Sequence, residues 1–166
     1  KTVTEEMPVW VEAHADGLTP LLKAMELASD HLSAWIERHP ENFPPSVFNI
    51  TDGMPDGSEN ALLAGAKELR DLYTTDGHVL FYNIHITSEA QEQVLFPSAM
   101  DMLPQDDTNA HQLYRMSSTF PEAFHGRLAD LLAGRNPNGA TAMAYHADIK
   151  SMWRLLEIGT RTSGRV

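Results

Sequence analysis

His78–Thr87, HVLFYNIHIT, is the stretch that decides the fold. Val79–Tyr82 are continuously apolar, so a strand here has both faces covered, as in a parallel sheet with crossover helices above and below it. Upstream, Ser46–Thr51 (SVFNIT) reads as a second strand that is left abruptly at Asp52-Gly53. Between the two, Glu59–Tyr73 keeps Leu62, Ala66, Leu69 and Tyr73 in helical phase, and Asp76-Gly77 is a turn. Earlier still, Thr19-Pro20 opens a helix, with Thr as its cap and Pro at its first position. Leu21, Met25, Ala28, Leu32 and Trp35 share one face of that helix, which ends at His39-Pro40. Pro8–Ala13 (PVWVEA), β-branched and aromatic, reads as a further short strand, followed by a loop at His14–Leu18.

Downstream, Val94–Pro97 is a short extra strand, and Asn109–Ser118 and Pro121–Leu132 are helices broken at Phe120-Pro121. After a turn at Asn136–Gly139, Thr141–His146 is the last strand. Asp148 caps a final helix whose Ile149, Met152, Trp153 and Leu156 are in phase. Strands alternating with helices predict an α/β domain with a mostly parallel sheet flanked by helices.

The chain has 166 residues, one domain's worth, with ordinary globular hydrophobic and charged fractions of 42% and 21%. Its net charge of −11 disfavours nucleic acid and anionic membranes as partners. With no cysteine, disulfide scaffolds, thiolate metal sites and cysteine nucleophiles are excluded. The polar start, Lys1–Glu6, and the lack of a long apolar run point to a cytoplasmic protein. A first residue other than Met fits a processed product or a fragment.

Ligands of open α/β sheets sit beyond the carboxyl ends of the strands. Two polar positions fall there: the loop His14–Thr19 and the exit Thr51-Asp52-Gly53. Oxygen donors from Thr19 and Asp52 suit a hard cation such as Mg²⁺.

At these residues the chain resembles a known family. Asp16-Gly17-Leu18-Thr19-Pro20-Leu21 opening a helix, followed by Pro45-Ser46-Val47-Phe48-Asn49-Ile50-Thr51-Asp52-Gly53, is similar to the second half of a von Willebrand factor type A (vWA) domain. Within that family it resembles the bacterial cytoplasmic members linked to tellurium-resistance and phosphatase systems. The resemblance extends through Asn83–Thr87, Leu95–Pro97 and Met116–Ser118. It implies a Rossmann-like sheet and a metal-ion-dependent adhesion site (MIDAS) at the sheet's carboxyl edge. Thr19 and Asp52 would be two of its ligands. Mg²⁺ or Mn²⁺ would be the ion, and an acidic side chain of a partner protein would complete the shell. The family is mostly one of binding modules, so no catalytic residue is expected.

The departure is equally specific. The family's Asp-x-Ser-x-Ser motif is absent, and the closest string, Asp56-Gly57-Ser58-Glu59-Asn60, follows the Asp loop instead of preceding the Thr loop. Residues 1–159 are therefore expected to be the C-terminal portion of one vWA-like domain, with 160–166 a polar tail. An absent N-terminal part would hold three strands, the first pairing with Pro8–Ala13 at the middle of the sheet. Two alternatives stand beside the metal-bridged binding module. One is a metal-assisted phosphoesterase using Asp52, Asp56 and His85. The other is a structural half-domain completed by a missing segment, a second copy or another chain.

Simpler roles are available for most of the conspicuous residues. Thr19 serves as a helix cap, Asp52 as a turn residue and Asp16 as a shaper of its loop. His85, on one strand face with Phe81 and Asn83, reads as a satisfied, half-buried histidine. Ser117-Ser118 and Asp106-Asp107 read as solvated loop and helix-end residues. The methionines and Trp10, Trp35 and Trp153 read as core.

Overall fold

A computed structural model of the chain describes residues 19–87, 91–129, 131–132 and 134–160. The strand expected at Pro8–Ala13, the loop His14–Leu18 with Asp16, and Trp10 lie outside the described residues. The long helices and strands run in the order α1 (Leu21–Arg38), β1 (Ser46–Thr51), α2 (Glu59–Asp71), a two-residue hairpin of β2 (Tyr73–Thr74) and β3 (Gly77–His78), and β4 (Leu80–Ile86). There follow β5 (Val94–Leu95), α3 (Thr108–Met116), α4 (His125–Ala129), β6 (Met143–Ala147) and α5 (Ile149–Thr160).

The main sheet has the order β1-β4-β6-β5. β1 runs parallel to β4 from Ser46↔Leu80 to Thr51↔His85, β6 is parallel to β4, and the short β5 is antiparallel to β6. The described residues thus form an α/β fold with a mixed, mostly parallel four-stranded sheet between helices. The apolar run that announced β4 has the expected cause: Leu80–His85 are all buried, because helices cover both faces.

Alternation along β4 divides the core in two. Leu80, Tyr82 and Ile84 face one layer, with Phe120, Phe124, Leu128, Leu155 and Ile158. Phe81 faces the other, with Met25 of α1, Leu62 and Leu69 of α2, and Leu113 and Met116 of α3. So α1, α2 and α3 share one face, and α4 and α5 the other. Gly65 lets α1 and α2 approach closely; a Cβ there would lie 3.0 Å from Leu22 and 3.1 Å from Met25.

Several expectations are corrected. Thr19 is not the cap of α1: the helix starts one residue later, its cap position is Pro20, and no side chain caps it. α2 stops at Asp71, so Tyr73 leaves the helical face and is exposed in the hairpin. The helix expected over Pro121–Leu132 is a 3₁₀ turn, Glu122–Phe124, followed by α4.

α5 is capped by Asp148, which accepts from Ser151 N–H at 2.8 Å, as its sequence indicates. Its inward face differs from the expected one. Ser151, Leu155, Ile158 and Gly159 are buried, while Ile149 and Trp153 are 78% and 70% exposed. The seat is chosen by small and polar residues. Ser151 donates to Gln93 Oε1 at 2.9 Å. Gly159 lies so close to the sheet that a Cβ would meet Phe48 at 2.5 Å and Tyr82 at 3.0 Å.

Gly159→Ala tests this seat. Alanine favours a helix by about 1 kcal/mol over glycine, yet overpacking here costs about 1–3 kcal/mol. The urea midpoint should fall. Ile149→Ala, at an exposed position, should shift stability by no more than about 0.5 kcal/mol. The opposite ranking would restore the face read from the sequence.

Candidate functional site

At the carboxyl end of β1 the chain turns sharply. Thr51 Oγ1 donates to Gly53 C=O at 3.0 Å and accepts from Gly53 N–H at 3.3 Å, fixing the exit and leaving Asp52 exposed. The loop then folds back on the start of α1. Asp56 N–H donates to Thr19 C=O at 3.0 Å, and the Asp56 carboxylate accepts from Thr19 N–H. Ser58 Oγ caps α2 by accepting from Ala61 N–H at 3.3 Å. The string Asp56-Gly57-Ser58 is thereby occupied with holding the loop and starting a helix. Thr19 and Asp52 are both exposed, and Thr19 is tied to Asp56, four residues beyond Asp52 in the chain.

A threonine hydroxyl and a carboxylate are hard oxygen donors that suit Mg²⁺ or Mn²⁺, but they fill only two of about six positions. Among the described residues no three His, Asp or Glu side chains converge as metal ligands. A cation held by these two donors would need further ligands from elsewhere.

On the face of α1, α2 and α3 lies a polar layer that the sequence did not suggest. Asn49 Nδ2 donates to Asn83 Oδ1 at 2.9 Å across β1 and β4. Asn83 Nδ2 donates in turn to Ser117 Oγ at 3.1 Å, and Ser117 Oγ to Leu113 C=O at 2.7 Å. Ser117 and Ser118 are buried, not solvated. Ser118 bridges the strands: its N–H donates to Phe81 C=O at 3.0 Å, its Oγ accepts from Phe81 N–H at 2.9 Å, and its C=O accepts from Ala142 N–H at 2.7 Å.

Nearer the carboxyl edge, His85 stacks on Tyr145 with ring centroids 4.5 Å apart and lies 5.2 Å from His146. The β4–β6 register slips between Ile84 and Ile86, which pair with Ala144 and Ala147, so Tyr145 and His146 together oppose one residue. That is a β-bulge, and His146 takes the left-handed φ of 52° that it imposes. Tyr145 donates its hydroxyl hydrogen to the carboxylate of Asp107. Asp107 also caps α3, accepting from Ala110 N–H at 3.0 Å. Asp107 is therefore the anchor between α3 and β6, where a solvated helix end was expected.

His85 is 7% exposed and its Nδ1 has no hydrogen-bond partner, as is also true of Asn109 Oδ1. The satisfied histidine expected at position 85 is thus buried and incompletely paired. Burial first, and His146 second, lower its pKa, against the raising influence of Asp107 and Asp52. Burial pushes Asp107 up, but hydrogen bonds from Tyr145 and from the backbone of Ala110 and Asn109 outweigh it and hold its carboxyl below the ordinary value.

Two other clefts, with volumes of about 430 and 600 Å³, open elsewhere. Residues around Pro40, Asp71 and Thr75 line the first, and Arg70, His78 and Ser118 the second, at the amino end of the strands. Neither Thr19 nor Asp52 lines them. Comparison of the chain with protein-family models, with curated proteins and with solved structures gave no match.

Two outcomes follow from the polar layer. The pKa of His85 is lowered in the folded protein, so just below the ordinary histidine value of 6.5 the unfolded chain binds more protons. Stability should therefore drop as pH falls through and below that value, and His85→Phe, which keeps the stack, should shrink the drop measured by urea melts at successive pH values. Tyr145→Phe removes the hydroxyl from Asp107 and should cost about 1.5–3 kcal/mol, the range for a hydrogen bond to a charged group. An unchanged midpoint would remove that anchor from the account.

Proposed function

We propose that the chain is a protein-recognition module of the vWA type that acts in the cytoplasm. In this reading Thr19 and Asp52 hold a divalent cation, Mg²⁺ or Mn²⁺, directly or through water. An acidic side chain of a partner protein then takes an open position on the ion. The supporting observation is the reciprocal backbone and carboxylate pairing of Thr19 with Asp56, which ties the Thr19 loop to the loop that Asp52 opens. The net charge of −11 supplies a reason for the ion, since an acidic partner would otherwise be repelled. No described helix is long and apolar enough to cross a membrane.

A second reading, the metal-assisted phosphoesterase, is favoured by one observation: His85, with an unpaired Nδ1, lies within electrostatic reach of Asp52. Asp56 is less suited to it, because its carboxylate is engaged by Thr19.

Calorimetric titration with MnCl₂ tests the first reading. Asp52→Asn and Thr19→Val should each weaken binding by about tenfold or more, as loss of one of few ligands does. Equal affinity in both variants would remove the notch as the metal site. Turnover of p-nitrophenyl phosphate with Mg²⁺, abolished by Asp52→Asn, would establish the enzyme instead.

A further inference from the structure

Two helices end at one cleft. α1 stops at Arg38 and α2 at Asp71, and the last turn of each lines the cleft of about 430 Å³. That volume is within the range of ordinary ligand sites. The final carbonyls of a helix have no partner within it, so its carboxyl end carries partial negative charge and favours a cation. Here two such ends meet. The charged side chains among the described residues lining the cleft are both carboxylates, Glu37 and Asp71. The nearest cations are engaged elsewhere. Arg38 Nε donates to Ala34 C=O at 2.9 Å. Lys67, which pairs with Asp71, and Arg70 line the neighbouring cleft of about 600 Å³ and not this one.

The hairpin supplies an aromatic group. α2 stops ahead of Tyr73, whose ring is 65% exposed and lines the same cleft. Tyrosine is one of the residues most often found gripping a partner protein. This one is held in place. Thr75 N–H and Oγ1 both donate to Pro40 C=O, at 2.8 and 3.2 Å, and tie the hairpin to the exit of α1. Val79 N–H donates to Leu72 C=O at 2.8 Å, and the Tyr73 ring lies against His78 with centroids 5.7 Å apart. A cleft whose walls are fixed in advance loses less entropy when a ligand settles. Ile36 and Leu72 add apolar surface. A guanidinium pairs with carboxylates in a planar fork, stacks on aromatic rings and carries a hydrocarbon stem, so this lining suits arginine.

We propose that this cleft docks a basic segment of a partner protein, with one arginine side chain held by Glu37 and Asp71 and stacked on Tyr73. The net charge of −11 draws such a segment in at long range. The inference does not rest on metal binding, because neither Thr19 nor Asp52 lines the cleft.

Amide chemical shifts of the full chain read the outcome, followed by NMR with EDTA present during titration with the acetylated, amidated pentapeptide Ala-Ala-Arg-Ala-Ala. Shifts should saturate at Glu37, Leu72, Tyr73 and Thr75, with a dissociation constant on the order of 1 mM. The same peptide with citrulline, the neutral isostere, in place of arginine should bind at least about tenfold more weakly. Tyr73→Ala and Glu37→Gln, both at exposed positions, should each weaken binding about threefold, with the rest of the spectrum unchanged. Should Tyr73→Ala disturb the hairpin, Tyr73→Leu keeps the bulk and removes the aromatic face. Absence of saturation at those four amides would overturn the proposal, as would unchanged affinity in either variant. So would equal shifts at the exposed Asp52, Asp101 and Asp106, which would mark diffuse attraction of a cation to an acidic protein.

Discussion

The constraint on which the rest depends is the double enclosure of β4. This strand is hydrogen-bonded on both sides and covered on both faces, so each of its side chains has to find its partner inside the protein. Leu80 and Ile84 solve that with hydrocarbon contacts, and the Tyr82 ring by stacking on Phe48 at 4.5 Å, although the buried Tyr82 hydroxyl has no hydrogen-bond partner. Asn83 and His85 cannot. Their polar atoms oblige the neighbouring elements to bring polar groups too, and Asn49, Ser117 and Tyr145 are drawn in around them. One face is consequently generic packing. The other is a linked set of hydrogen bonds that fixes α3 against the strands.

That asymmetry explains what could be read in advance. Ser46–Thr51 was legible to the residue, because a six-residue β-branched run bounded by Pro45 and Asp52-Gly53 has few other conformations open to it. The cap at Asp148 was equally local. The inward face of α5 was not, because hydrophobic phase favours Ile149 and Trp153, whereas the seat is chosen by where a glycine lets the helix meet Phe48 and Tyr82. No periodicity contains that information.

The candidate site divides in the same way. Asp52 at a strand exit is a local pattern, and the fold places it at the carboxyl edge as that pattern requires. The pairing of Thr19 with Asp56 spans 37 positions and depends on how α1 returns to the sheet. The cluster of His85, Tyr145, His146 and Asp107 needs the register slip in β6, for which the sequence offers no sign beyond a polar residue in an otherwise apolar strand. Thr19 was misassigned as a cap for a related reason. Thr-Pro is a sound helix opening in isolation, and the competing engagement comes from a loop distant in the chain.

The bulge at Tyr145 and His146 also limits how such a chain can diverge. Removing one residue there would restore regular pairing between β4 and β6 and relieve the left-handed backbone of His146. It would also remove one of the two rings, Tyr145 or His146, that lie against His85. Strand length at this point is therefore under as tight a restriction as residue type, and insertions or deletions between Ala144 and Ala147 should be far rarer than substitutions.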